Sequence, residues 1–416
     1  MWSICPRLTF DAVHVCKCDR DDLHKHTEEF INEVNAVLQK HQDKVVETLE
    51  VRIDFVNSRL LADHINNWIN FAVSSRTKNL TLDLKPKKFR EYDDRYVFPF
   101  QLFDGGTTMS HIRHMQLSFV ALDDPPSHFR GFPNLRKLHL QEVRFNGKDL
   151  GHVLSRCCNL EWLCIDRCDE LKDGLIVDAP LTHLLYLRVE YCIFTRMNLH
   201  AANLATFDYN GPFIPIDLTN SLKLQTANIE LEKAIFQHAF TSLLNGLPSV
   251  QNLTLKIGLQ YLEKQWLWDN RLQFYNLRRF QLFMLIFREG LDKVLCSILF
   301  LRATPFIEEL EVHFAGYTLW LAEVGPCRKD LGPPYKYNYL KNICITGFKA
   351  ARGQLEFLLH LVENAPALEV INIKIGDRHS SKEFWPCEGR RPPFEEAKRI
   401  VRDCLLTLNV KFDITY

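Results

Sequence analysis

The sequence predicts an α/β fold, a curved solenoid with a parallel sheet of short strands on its concave side, and three observations carry that prediction. First, the stretch 134–171 states one phrase twice: Leu135-x-x-Leu138-x-Leu140 returns 25 residues later as Leu160-x-x-Leu163-x-Ile165. Second, the phrase recurs along the chain in thirteen units, counting a weak copy at Thr77, whose starts advance irregularly by 20 to 35 residues. Third, the connections alternate between runs of helical period and stretches too short for a helix. One strand and one helical or extended return per unit define a leucine-rich repeat, here of the irregular, ribonuclease-inhibitor-like kind. Residues 4 and 6 of the phrase point to one side of a strand and 3, 5 and 7 to the other, so one side is buried and the other is free. A single unit cannot bury its own apolar side, and neighbours must stack.

Taken in order, Asp21-Asp22 open a helix whose stripe is Phe30, Ile31, Val34, Val37 and Leu38, and His41-Gln42-Asp43 breaks it. Val46-x-x-Leu49-x-Val51 reads as the first strand. Leu61–Ala72 follows as a helix with Ile65, Trp68, Ile69 and Ala72 on one side, then Leu80-x-Leu82-x-Leu84 and Ile112-x-x-Met115-x-Leu117. Between the two opening copies, Asp149 stands as an N-cap before Leu150, Val153 and Leu154. The units at Leu184, Leu204 and Leu224 leave room only for extended returns. Those at Val250, Leu277, Ile307, Leu340 and Leu368 bring helices at Phe236–Leu244, Leu291–Leu301 and Gln354–Val362. Lys85–Gly106 and Gly325–Tyr339 read as long contact-bearing loops. Domain limits follow: 12–44 a linker and capping helix, 45–376 the repeats, 377–416 a mobile loop and C-terminal cap containing a helix over Phe394–Leu408 and a last strand at Val410–Ile414.

Composition narrows the function. Lysine plus arginine and aspartate plus glutamate are 51 each, which gives no charge bias toward nucleic acid or an anionic membrane. The 13 cysteines are odd in number and lack a C-x-x-C pair, and several, Cys164, Cys296, Cys344 and Cys404, fall inside predicted strands or helices, which suits reduced thiols and a cytoplasmic or nuclear location. The start of the chain has no signal-peptide pattern, and the longest apolar stretch, Val294–Leu301, is far short of a membrane span. Both glycosylation sequons, at Asn79 and Asn252, fall in predicted strands.

Several phrases carry a family resemblance: Trp2-Ser-Ile-Cys-Pro-Arg-Leu-Thr-Phe-Asp11, Phe30–Leu38, Leu49–Phe55, Trp68–Ala72, Phe132–Leu140, Ala202–Gly211 and Leu243–Pro248. In this order they resemble the plant F-box/LRR proteins, including the F-box/FBD/LRR group. The resemblance implies a repeat domain that selects a protein target for an SCF ubiquitin ligase. It implies a Skp1-type adaptor only where an F-box precedes this chain, because residues 1–11 are similar to the end of an F-box and carry none of its adaptor-gripping helices.

Chemistry is sparse. His14-x-Cys16-x-Cys18 with His24-x-His26 has poor zinc spacing, and no nucleophile elbow, phosphate loop or zincin motif occurs, so neither metal, cofactor nor enzyme is expected. The outward strand positions are the candidate binding surface: His139, Trp162, Asp166, Tyr186, Arg188, Asp208, Asn228, Gln281, Phe283 and Glu311, aromatic residues among polar ones. Lys85, Lys87, Lys88 and Arg90 form a weaker candidate for a phosphate. The expected role is a non-enzymatic module for an unknown protein target, with a small-molecule or inositol-phosphate sensor, or a repeat protein free of any ligase, as alternatives.

Overall fold

The structure, a computed structural model, describes residues 6–12, 23–42, 44–54, 58–86, 95–103, 111–168, 174–232, 246–259, 273–286, 291–316, 335–375, 398–399, 401–403 and 411–415. It has two compact units, 1–204 and 205–416. His14, Cys16, Cys18, Lys87, Lys88, Arg90, the helix expected at Phe236–Leu244 and most of both long loops and of residues 377–410 lie outside the described residues.

In the first unit the six strands expected from the phrase each begin at its third position, and a seventh precedes them. β1 (Arg7–Asp11), β2 (Thr48–Arg52), β3 (Asn79–Asp83), β5 (His114–Ser118), β7 (Lys137–Gln141), β8 (Trp162–Asp166) and β10 (Tyr186–Glu190) lie side by side and parallel. The register repeats the sequence alignment: Leu138 stands opposite Leu163 and Leu163 opposite Leu187. Positions 1, 4 and 6 are the core: Leu135, Leu138 and Leu140, Leu160, Leu163 and Ile165, and Leu184, Leu187 and Val189 are all but inaccessible to solvent. The first strand was not anticipated. Leu8 and Phe10 are buried at positions 4 and 6 of a unit that opens on Cys5, and β1 pairs with β2 from Arg7 to Asp11.

The other side of this unit is built from returns. α1 (Leu23–Lys40) and α2 (Ser58–Ser74) cover the first strands, with the Trp68 indole donating to Asn35 Oδ1 at 2.8 Å. α3 (Gly147–Ser155) is capped by Asn146, whose side chain accepts from the Asp149 N–H at 2.8 Å. Asp149 is therefore in the first turn and not the cap: a cap must precede the helical backbone, and three residues downstream is where its bond is received. Further on, the returns are extended as the short spacing requires, β9 (Leu175–Val177) pairing with β11 (Met197–Leu199).

The stretch expected as a charged loop after Lys85 is partly core. β4 (Tyr96–Val97) pairs with β6 (Val120–Ala121), and the Tyr96 hydroxyl donates to Asn66 on α2 at 2.6 Å. Phe98, Phe100, Phe103, Phe129 and Phe132 form a network of ring contacts with centroids 5.0 to 6.3 Å apart, mostly edge to face, where the quadrupoles attract.

The backbone turns off the strands in one repeated way. Phe119, Glu142, Arg167 and Tyr191, each the residue just past its strand, have φ of 61, 50, 49 and 51°. None is glycine, so each carries left-handed strain of about 1 kcal/mol, offset by its N–H donating to the next strand's end where that bond is formed, as from Glu142 to the Asp166 carbonyl at 2.8 Å.

In the second unit β12 (Thr206–Pro212), β14 (Thr226–Glu232), β15 (Asn252–Leu259), β16 (Arg279–Ile286), β17 (Glu309–Gly316), β18 (Asn342–Phe348), β19 (Val370–Ile375) and β20 (Lys411–Thr415) lie in that parallel order. β13 (Ile216–Asp217) is a short extended return, while α4 (Leu291–Arg302) and α5 (Arg352–Asn364) pack as helical ones. The end of the second expected loop is also interior, since Tyr337 is buried against His360.

Candidate recognition face

Because parallel strands in register bring equal phrase positions side by side, the outward residues form columns across each unit. In the first unit the middle column runs Gln116, His139, Cys164, Arg188. The column before it places Lys137, Trp162 and Tyr186 in a row, and the two aromatic rings stack with centroids 5.6 Å apart and planes 4° from parallel. His139 meets Trp162 edge-on at 6.0 Å. Trp162, Tyr186 and His139 are half-buried, so each stack presents a ring surface to solvent. Such a pair contributes roughly 0.5 to 1.5 kcal/mol beyond its buried area, which holds the platform in place before anything binds.

Behind the rings runs a hydrogen-bonded column. Ser118 Oγ reaches Gln141 Oε1 at 3.4 Å, Gln141 Nε2 donates to Asp166 Oδ2 at 3.3 Å, and Arg167 Nη1 donates to the same oxygen at 2.8 Å. Asp166 is 8% exposed, and its Oδ1 is buried with no hydrogen-bond partner. Burial raises its pKa, with Glu190 and Glu142 adding to the rise and Arg167 and His139 opposing it. Arg188 pairs with Glu190 at 2.6 Å. For His139, burial lowers the pKa, Asp166 resists and Arg188 assists, so the ring is neutral at pH 7 and can donate from one nitrogen while accepting at the other.

The thiol at the centre of this face is not set up for nucleophilic chemistry. Cys164 is 4% exposed and burial pushes its thiol up to about 12, the opposite of what a reactive thiolate needs. No group of histidine, cysteine and carboxylate side chains suited to a metal ion occurs among the described residues.

The second unit carries its own columns. Asn228 donates to Asp208 Oδ1 at 2.7 Å, Thr254 to Gln281 Oε1 at 3.1 Å, and Gln281 to Glu311 Oε2 at 2.7 Å. Phe283 stacks on His313 with centroids 4.0 Å apart, Lys256 stands 5.7 Å from the Phe283 ring, and the same ammonium pairs with Glu230 at 3.2 Å. Lateral pairing of this kind satisfies each polar group without fixing it in a core, leaving an ordered surface.

The ten outward candidates thus fall into two groups, His139, Trp162, Asp166, Tyr186 and Arg188 in one unit and Asp208, Asn228, Gln281, Phe283 and Glu311 in the other. Glu190, Lys256 and His313 join them; they occupy phrase position 7, the column that already gave Asp166 and Phe283. Arg167 joins too, but it lies past the strand on left-handed backbone and had no periodic signal. Of the basic cluster, Lys85 ion-pairs with Glu142, and Arg95 donates to the Glu142 carbonyl. The Lys85 side chain remains 44% exposed, and the other three members of the cluster lie outside the described residues.

The family model for the LRR domain of At1g61320/AtMIF1 matches residues 37–402. In Arabidopsis thaliana, the F-box/FBD/LRR-repeat protein At1g13570 is 24% identical over 389 residues, covering 89% of this chain and 82% of the relative. The FBD-associated F-box protein At1g61320 is 20% identical over 371 residues, covering 83% and 76%. At5g62970 is 28% identical over 226 residues, and there the match spans 53% of this chain and less than half, 46%, of the relative.

Proposed function

This chain belongs to the family of the At1g61320/AtMIF1 LRR domain, and from that premise we propose that it is a protein-interaction module whose strand face in the first unit seats a protein target. The observation that carries the reading is the half-buried stack of Trp162 on Tyr186 beside the hydrogen-bonded Gln141–Asp166–Arg167 column, whose Asp166 Oδ1 is left without a partner. Rigid aromatic area flanked by ordered hydrogen-bonding groups is what binding hot spots are made of, because little entropy remains to be lost when a partner covers it. The relatives' names carry the term F-box, which supports a role as the target-selecting part of an SCF-type ligase, joined to a Skp1-type adaptor through an F-box. Buried free thiols at Cys157, Cys164, Cys168 and Cys192 support action in a reducing compartment, the cytoplasm or the nucleus.

The test compares wild type with Trp162→Ala/Tyr186→Ala. Proteins captured from plant extract by the wild type and lost from the variant are purified and titrated against both chains. Loss of both rings should weaken binding by more than about thirtyfold, the equivalent of a hot spot of about 2 kcal/mol. Equal affinity of every captured protein for the two chains would remove the strand face from target binding. Separately, a Skp1-type adaptor offered to this chain and to an upstream-extended version should be retained by the extended one; retention by neither ends the ligase reading and leaves a repeat-only binder.

A further inference from the structure

On the return side of the first unit a groove of about 920 Å3 runs along α3 between Gly147, Lys148, Gly151, His152 and Ser155 on the helix, Arg156 at its C-cap, and Gly174, Ile176, Asp178 and Arg196 from the following returns. Its floor is backbone. Gly151 faces the Ile176 carbonyl, from which a Cβ would stand only 2.4 Å, so the helix lies directly on β9 and no side chain fills the seam. Its rim is basic, with the cations Lys148, Arg156 and Arg196. Lys148, His152 and Arg156 are four residues apart, one helical turn each, and Arg196 faces them from the next return.

These cations are free. Elsewhere in the unit, basic side chains are matched across repeats, Arg136 with Glu161 at 2.8 Å, Arg144 with Asp123 at 2.8 Å and Lys78 with Glu47 at 2.7 Å. Among the described residues Lys148, Arg156 and Arg196 have no ion pair or side-chain hydrogen bond, and Asp178 is the one carboxylate lining the groove beside them. Like charges a turn apart on a helix repel, and an anion laid along the rim would relieve that repulsion. The Arg196 stem lies close over Gly174: a methyl group there, at φ +89°, would stand 2.7 Å from Arg196 Cγ.

We propose that this groove binds an extended acidic peptide segment, with carboxylates at alternate residues meeting Lys148, His152 and Arg156 in turn and Arg196 closing over them. The match is one of repeat length. One helical turn advances about 6 Å between the rim side chains, and two residues of an extended chain advance about 6.6 Å. Alternate acidic residues therefore keep step with the rim over its length, whereas a compact anion engages one rung. The occupant is distinct from the strand-face target and the site does not depend on that reading.

The probe is a short fluorescein-labelled peptide with aspartates at alternate positions, followed by anisotropy on the full chain. Wild type should bind it. Lys148→Glu/Arg156→Glu, both at exposed positions, should weaken binding by about tenfold or more, Arg196→Glu should weaken it independently from another repeat, and Trp162→Ala should leave it unchanged. Equal binding by both charge-reversed variants, equal binding of a peptide whose aspartates are contiguous, or displacement of the probe by inorganic phosphate would each overturn the proposal.

Discussion

Tyr337 and His360 share a 3.1 Å hydrogen bond between the phenol oxygen and Nε2, both side chains buried in the second unit. Burial, helped by the nearby Arg302 charge, lowers the pKa of His360 to about 4, while an unfolded histidine titrates near 6.5. The folded state is thus the poorer proton acceptor. The contribution of neutral His360 is fully present above the unfolded value and is lost as pH falls from there toward 4, a change of roughly 3 kcal/mol at most. Urea midpoints measured from pH 7 to pH 4.5 should fall in wild type and fall less steeply in His360→Gln; parallel profiles for the two would show that another group drives the acid loss. His360 could not be singled out from the sequence, since its helical position is ordinary and its buried partner Tyr337 belongs to a stretch whose proline, glycine and tyrosine content reads as a loop. Asp149 shows the converse: the residue type suited a cap, but Asn146, three residues earlier, is where the backbone leaves the extended region.

At the scale of elements, α3 is the place where two packing rules conflict. Alanine in a helix interior is favoured over glycine by about 1 kcal/mol, yet at Gly151 a Cβ would lie 2.4 Å from the Ile176 carbonyl of β9. A backbone atom cannot swing aside as a side-chain tip can, so the strain wins, and Gly151→Ala should destabilise by roughly 1 to 3 kcal/mol. Thermal melting of the variant tests this; a raised melting temperature would mean that the helix shifts off β9 without loss. Elements whose apolar residues sit at phrase positions were legible because period and burial coincide, as from Leu160 through Ile165. β1 was missed because its first slot holds Cys5, and a lone Leu8-x-Phe10 pair is too short to register as a repeat. The Phe98–Phe132 network was missed for another reason: Phe98, Phe100 and Phe103 follow neither helical nor strand period, and only the contact between two separate returns makes them core.

At the scale of the whole molecule, the governing fact is that within each unit the phrase strands meet only those of adjacent repeats, Leu138 against Leu163 and Leu163 against Leu187, Phe280 against Leu310 and Leu310 against Ile343. Among the described residues no phrase strand closes back on a distant one, so stability within each unit is a sum of repeat and nearest-interface contributions. That architecture was legible from one recurring phrase, since a stack needs only the local rule to be repeated; the division into compact units at 204 and 205 was not, because the phrase runs on through Leu204 and Leu224 unbroken. The same architecture sets how the protein comes apart. With coupling confined to adjacent repeats, native-state hydrogen exchange at rising urea should show amides of β7, β8 and β10 losing protection at a different urea concentration from those of β16, β17 and β18. The signal by far-UV circular dichroism should then be broader than a two-state transition of this length allows, because the slope with denaturant reports the surface exposed in each separate step. Simultaneous loss of protection in both sets of strands, with a slope fitting the whole chain, would show that the interfaces between repeats are strong enough to make the array cooperative from end to end.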